Sequence, residues 1–222
     1  MTWFGFAGVF AAFFASHSIP LRPGVRKRIV GAMGRRAFGL AYSVLSVGML
    51  ALLIHAAGRA PHVTLWPSLP WHYHVVQAGM LAVCLILALS VGRPNPFSFG
   101  GARNDRFDPA RPGIVRHLRH PVLVALALWA GLHLLPNGDL AHVLLFGTLG
   151  AFAIMGRALI DRRKCREMGP DAWQALWHET CGAPRVQPPR SWAGLALRLL
   201  AAVVAYGALV VLHPVVIGVP AG

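Results

Sequence analysis

The chain is 222 residues long, 56% hydrophobic and only 13% charged, whereas a soluble domain carries about a quarter charged residues. That balance excludes a water-soluble globule, and at about 20 apolar residues per span six or seven spans leave no room for a separate soluble domain. The net charge of +14 does not indicate nucleic acid, because no basic stretch is interleaved with aromatics as on a nucleic-acid surface. It reads as a positive-inside signal together with attraction to anionic lipid headgroups.

Six apolar runs follow in chain order, at about 2–19, 38–57, 71–92, 121–136, 140–160 and 192–217. Lipid cannot hydrogen-bond a backbone, so these runs are helices rather than strands. The first has no basic residues ahead of it and reads as an uncleaved helix. The run 121–136 is short, and extending it back through Ile114–His120 gives it enough length, with Arg116 and Arg119 snorkelling to the interface.

The segments between the runs assign an orientation. All but one of the 21 Lys and Arg residues fall within 20–37, 93–120 and 157–198, and the exception is Arg59. These three connections alternate, so they face the cytoplasm and both termini face the periplasm. Trp66, Trp71 and Tyr73 mark the outer interface; Trp173, Trp177 and Trp192 mark the inner one. Residues 20–37 read as a basic loop, and 93–113, rich in Pro, Gly and Asn, as a mobile loop or lid. Residues 161–180 read as a short cytoplasmic surface helix, with Pro170 in its first turn. The expected fold is an all-α polytopic transmembrane bundle of about six helices in the bacterial inner membrane, with residues 1–222 forming one domain.

Chemistry-bearing residues are few. Cys84, Cys165 and Cys181 form neither a disulfide framework nor a zinc spacing. Acids are nearly absent from the spans, and Asp139 sits in an Asn-Gly-Asp turn. No carboxylate pair, nucleophile motif or phosphate loop is present.

The eleven histidines therefore carry most of the question, since ionisable groups inside a membrane are functional candidates by default. Sorted by depth, His17, His117 and His120 lie on the inner side. His55, His72, His74, His133, His142 and His213 lie on the outer side. His62, His72, His74 and His142 sit where water or headgroups reach. His17, His120, His133 and His213 flank apolar runs with no acid nearby in sequence. Each is either a core imidazole bonded to a backbone carbonyl, or a metal or haem ligand oriented by a bond to its other nitrogen. Arg116-His117-Leu118-Arg119-His120-Pro121 is the sharpest local feature. With Pro121 at the first helical position, Arg119 and the first helical amides form an anion or cofactor grip, or else Arg119 simply marks the inner boundary.

Several stretches together resemble one family over nearly the whole length. They are Phe14-Ala15-Ser16-His17-Ser18, Gly39-Leu40-Ala41-Tyr42-Ser43, Arg59-Ala60-Pro61, Leu65-Trp66-Pro67 and Arg119-His120-Pro121. They continue with Leu128-Trp129-Ala130-Gly131-Leu132-His133, Asn137-Gly138-Asp139, Gly169-Pro170 with Trp173 and Thr180, and Leu212-His213-Pro214. The chain resembles the NnrU family of membrane proteins, departing at Cys181-Gly182-Ala183-Pro184-Arg185. The resemblance implies a link to denitrification, nitric oxide and a redox or reductase partner.

The family is also similar to plant zeta-carotene isomerase, a haem b enzyme that isomerises a cis double bond when its iron is reduced. That likeness implies His17 and His133 as metal ligands and suits an apolar small molecule entering from the bilayer; Trp129, one turn before His133 on the same face, is a candidate pocket wall. A cysteine implicated there matches Ala130 here. Depth sorts the residues differently: His120 and His133 are about 20 Å apart along one helix. By depth His17 pairs with His120, and His133 with His55 or His213. A weaker similarity to isoprenylcysteine carboxyl methyltransferases implies S-adenosylmethionine at Arg119-His120-Pro121. It departs at Leu123, where an aromatic is usual, and at Asp161-Arg162, where paired glutamates stand.

Overall fold

The computed structural model describes residues 1–219 and is all-α. Among the described residues there are eight α-helices: α1 Trp3–Ser18, α2 Pro23–Met33, α3 Arg35–Gly58, α4 Pro70–Ser90, α5 Pro121–Leu134, α6 Leu140–Met168, α7 Pro170–Gly182 and α8 Trp192–Ile217. All six apolar runs are helical. Helices α3, α4, α6 and α8 are long and apolar enough to cross a bilayer, and α1 with α2 makes a fifth if the bent pair is one span. The chain is a multi-pass membrane protein. Its exposed apolar side chains, such as Val203, Val204, Val211 and Val215 on α8, suit a surface facing lipid.

Two corrections to the expected spans have local causes. Helix α5 has 14 residues and does not extend back through Ile114–His120. Gly113–Arg116 forms a separate 3-10 turn, and His120 caps a helix that starts at Pro121, whose missing N–H suits only a first turn. Residues 20–37 are not all loop either. Pro23 opens α2 at its first position, after a break around Pro20 that bends the chain by 70° from α1. Gly34, at φ 83, then separates α2 from α3 in a conformation that favours glycine.

The helices divide between two units, Met1–Pro67 with Gly138–Leu145, and Ser68–Asn137 with the chain from Phe146 onward. In the first, α1 packs on α3. Thr2 caps α1 by accepting from the Gly5 amide at 3.2 Å, and the Tyr42 hydroxyl donates to the His17 carbonyl at 3.1 Å. A short pairing joins the segment after α3 to the turn before α6. The Gly138 carbonyl accepts from the amides of Leu65 and Trp66, and the Leu140 amide donates to Val63.

In the second unit α4 packs against α5 and α8. The α4–α5 seam is built from Val76, Val83, Ala125 and Leu132, with Met80, Leu128 and Trp129 against them. His72, expected where water reaches, is instead buried, and its Nδ1 accepts from the Leu69 amide at 3.1 Å. The segment expected to be mobile, 93–113, is pinned. Gly92 bonds Gly100, Ala102 bonds Arg93, and the Asn95 amide donates to the Asn104 side chain. Its anchor is Phe97, fully buried edge-on against Phe107, Trp173 and Trp177. The surface helix expected within 161–180 is α7, which starts at Pro170 after Gly169 at φ 87. Residues 161–168 instead continue α6.

Candidate functional site

Each helix offers its imidazole by a local rule. A histidine in a helix reaches the carbonyl four residues earlier when its ring leans toward the N-terminus. His17 does so: its Nδ1–H donates to the Phe13 carbonyl at 2.8 Å. His133 does the same to the Trp129 carbonyl, also at 2.8 Å. Both rings are half-buried. In neither does Nε2 carry a hydrogen bond among the described residues.

The rings have aromatic surroundings. His17 lies 4.1 Å from Phe13 and 6.2 Å from Tyr42 between ring centroids. His133 lies 5.1 Å from both Trp129 and Phe146, and those two rings are 5.4 Å apart. Trp129 thus stands beside His133, as expected from its place one turn earlier. His213 of α8 lies within electrostatic reach of His133, and its own Nδ1 is bonded to the Val219 carbonyl at 2.7 Å. His17 belongs to the first unit and His120, His133 and His213 to the second.

A different arrangement surrounds Arg119 and His120. His120 is 2% exposed. Its Nε2 lies 2.9 Å from Asp161 Oδ1, and its Nδ1 lies 3.0 Å from the Ser98 hydroxyl. Burial pushes this imidazole below its usual 6.5, against the pull of Asp161. The neutral ring is satisfied with Nε2–H donating to Asp161 and Nδ1 accepting from Ser98, a tautomer assigned from these partners. Arg119 donates to Asp161 Oδ2 at 2.6 Å. Its guanidinium lies over Trp173 and Trp177, 5.2 and 4.5 Å from the ring centroids. The Asn95 amide group donates to the Arg119 carbonyl at 3.0 Å, fixing the turn from which both side chains leave.

The two groups differ chemically. His17 and His133 each keep a ring nitrogen free to donate to a metal, while His120 has both nitrogens in use. The Arg119 guanidinium, expected to grip an anion or S-adenosylmethionine, already holds a carboxylate and two indole faces. Asp161 enters the sequence reading only as a departure from paired glutamates, and its pairing with Arg119 and His120 is new. It lies 41 positions from His120, so no local pattern joins them. The available signal was its place as the first acid after the apolar run of α6. Ser98 and Asn95 were missed because they lie in the segment read as mobile.

Among the described residues no group of three or more His, Cys, Asp or Glu side chains is placed to hold a metal ion. Haem places no such demand, because its ring supplies four donors and the protein only the axial ones. The donor chemistry at His17 and His133 would fit imidazole ligation, since the bond at Nδ1 fixes the tautomer that leaves Nε2 available. Compared with known proteins, the chain matches the model of the family described as NnrU protein over residues 5–221. No curated protein and no solved structure matches it.

Proposed function

The chain belongs to the NnrU family of membrane proteins, and from that premise we propose that it binds haem b, with His17 and His133 as the imidazoles that would hold it. One observation supports this reading above the rest. Both residues make the same 2.8 Å Nδ1 bond to the carbonyl four residues back, and both leave Nε2 without a partner. His120, by contrast, has both ring nitrogens engaged. His213 is the second candidate to hold the group.

Bound haem would supply the redox chemistry, while the protein supplies ligands, a dry surround and orientation. Phe13 and Tyr42 pack beside His17, and Trp129 and Phe146 beside His133, an apolar surround suited to the group. Apolar surface facing lipid suits an apolar small-molecule substrate, which fits haem-dependent isomerisation. The family's link to denitrification suits nitric-oxide metabolism with a redox or reductase partner.

The test is a reduced-minus-oxidised absorption spectrum of protein purified from cells supplied with haem. Sharp α and β bands are expected, and His17→Ala and His133→Ala should each abolish or shift them. A flat spectrum would remove the haem reading. Unchanged bands in both variants would move the ligation elsewhere, with His213→Ala as the next substitution.

The same proposal places the protein in the bacterial inner membrane, with the basic connections in the cytoplasm and both termini outside. The C-terminal end of this assignment lies in 220–222, outside the described residues. A periplasm-active reporter fused at Gly222 is expected to be active. Cytoplasmic activity there would reverse the orientation.

A further inference from the structure

A cavity of about 320 Å³ opens at one end of the second unit, independent of the imidazoles above. Its wall is formed where the C-terminus of α4, the pinned 93–113 segment, Pro121 and the start of α8 come together. Six arginines line it: Arg93, Arg103, Arg106, Arg111, Arg190 and Arg198. Asp108 is the one acid in the lining, and it is already held by Arg190. Among the described residues no carboxylate pairs with the other five.

The arginines are held together rather than dispersed. Arg198 donates to the carbonyls of Ala88 and Val91 at the end of α4. Arg111 reaches the Pro188 carbonyl, and Gln187 reaches that of Ala110, so the two loops are laced across the opening. Burial lowers the Arg93 pKa, and repulsion from Arg198 and Arg190 lowers it further. Arg103 stands at φ 53, the one non-glycine residue with positive φ among the described residues. Folding has therefore gathered six like charges around a hollow with a single acid, Asp108, to set against them. Scattered basic loops would meet the positive-inside tendency equally well without this cost. A guanidinium offers a planar fork of donors that matches phosphate oxygens, and several around one hollow make a stoichiometric site rather than a diffuse attraction. The volume lies at the small end of ligand pockets, enough for a phosphate-bearing head.

We propose that this cavity binds a phosphate-bearing anion, with Arg93 and Arg198 on its wall and Arg103 and Arg106 at its mouth. The chemistry is shared by a lipid headgroup and by a soluble phosphate compound, and two arms of one experiment separate them. In the first arm, inorganic pyrophosphate is titrated by calorimetry against the detergent-purified full chain. In the second, the protein is reconstituted in phosphatidylcholine nanodiscs containing a minor fraction of phosphatidylglycerol, and retained lipid is counted by native mass spectrometry.

Saturable binding of about one anion per chain is expected in at least one arm. It should weaken at least about tenfold in an Arg93→Gln, Arg198→Gln double variant. Because Arg198 also caps α4, an Arg103→Gln, Arg106→Gln variant is tested beside it, neither side chain having a hydrogen-bond partner to lose among the described residues. Arg28→Gln with Arg36→Gln, in the first unit, removes the same charge elsewhere and should change nothing. Binding in the pyrophosphate arm identifies a soluble ligand; binding in the lipid arm alone identifies a headgroup. Absence of saturable binding in both arms, or equal weakening by the first-unit control, overturns the proposal.

Discussion

Asp161→Ala is expected to destabilise the protein by about 2–4 kcal/mol, toward the low end of what breaking a buried ion pair costs. The discount reflects solvent access, since Arg119 and Asp161 side chains are 26% and 21% exposed. The cost comes from what is left behind. Arg119 would keep its charge between two indoles with no carboxylate, and its Nε is already buried without an acceptor. His120, at 2% exposure, would lose the acceptor of its ring N–H. Asp161→Asn keeps an oxygen for one of the two donors and should fall between wild type and alanine. Denaturant unfolding followed by tryptophan fluorescence reads the effect, because Trp173 and Trp177 sit against the guanidinium. Alanine and wild type agreeing within about 0.5 kcal/mol would mean the cluster does not tie α5 to α6.

Gly138→Ala should be comparably severe, by overpacking rather than by charge. A Cβ at this position would stand 2.1 Å from the Trp66 carbonyl oxygen and 2.6 Å from Trp66 Cδ1. The obstacle is backbone and cannot rotate away. The pairing must open, and with it the bonds from Leu65 and Trp66 to the Gly138 carbonyl and from Leu140 to Val63. Overpacking costs about 1–3 kcal/mol and each lost hydrogen bond about 1, so a loss of about 2–4 kcal/mol is expected. Protease cleavage within 59–67 should rise in step. The matched control is Gly48→Ala in α3, where an added Cβ meets nothing within 4 Å and alanine gains helix propensity. If both substitutions behave alike, the close approach at Gly138 does not hold the loop.

How far the sequence reached depended on the range of the interaction. The apolar runs, Pro121 and Pro170 at first helical positions, and the Trp129–His133 pairing are local regularities, and hydropathy or spacing exposes them. Helix α2 was lost because its Arg26-Lys27-Arg28 run reads as a solvated loop, although arginine and lysine are good helix formers. His72 was misplaced because its capping bond depends on a backbone turn that polarity does not report. The 93–113 segment has the composition of a mobile loop, yet Phe97, Asn95 and Asn104 pin it. The Asp161 cluster was invisible because three distant stretches each contribute a part. His17 and His133 were singled out by family resemblance. Their shared carbonyl bond follows from helical geometry once the helices are in place.

Helix α5 has a consequence for the membrane itself. Its 14 residues span about 21 Å, against a hydrocarbon core of about 30 Å. Leu126 on this helix is exposed, so part of the mismatch falls on lipid. If α5 were to cross the bilayer on its own, the acyl chains around it would compress, or headgroups and water would descend toward His120. Each ångström of compression carries a small elastic cost. A transmembrane α5 would thereby make bilayer thickness a variable of this protein's stability, and higher unfolding resistance in shorter-chain than in longer-chain lipids is the outcome expected of it.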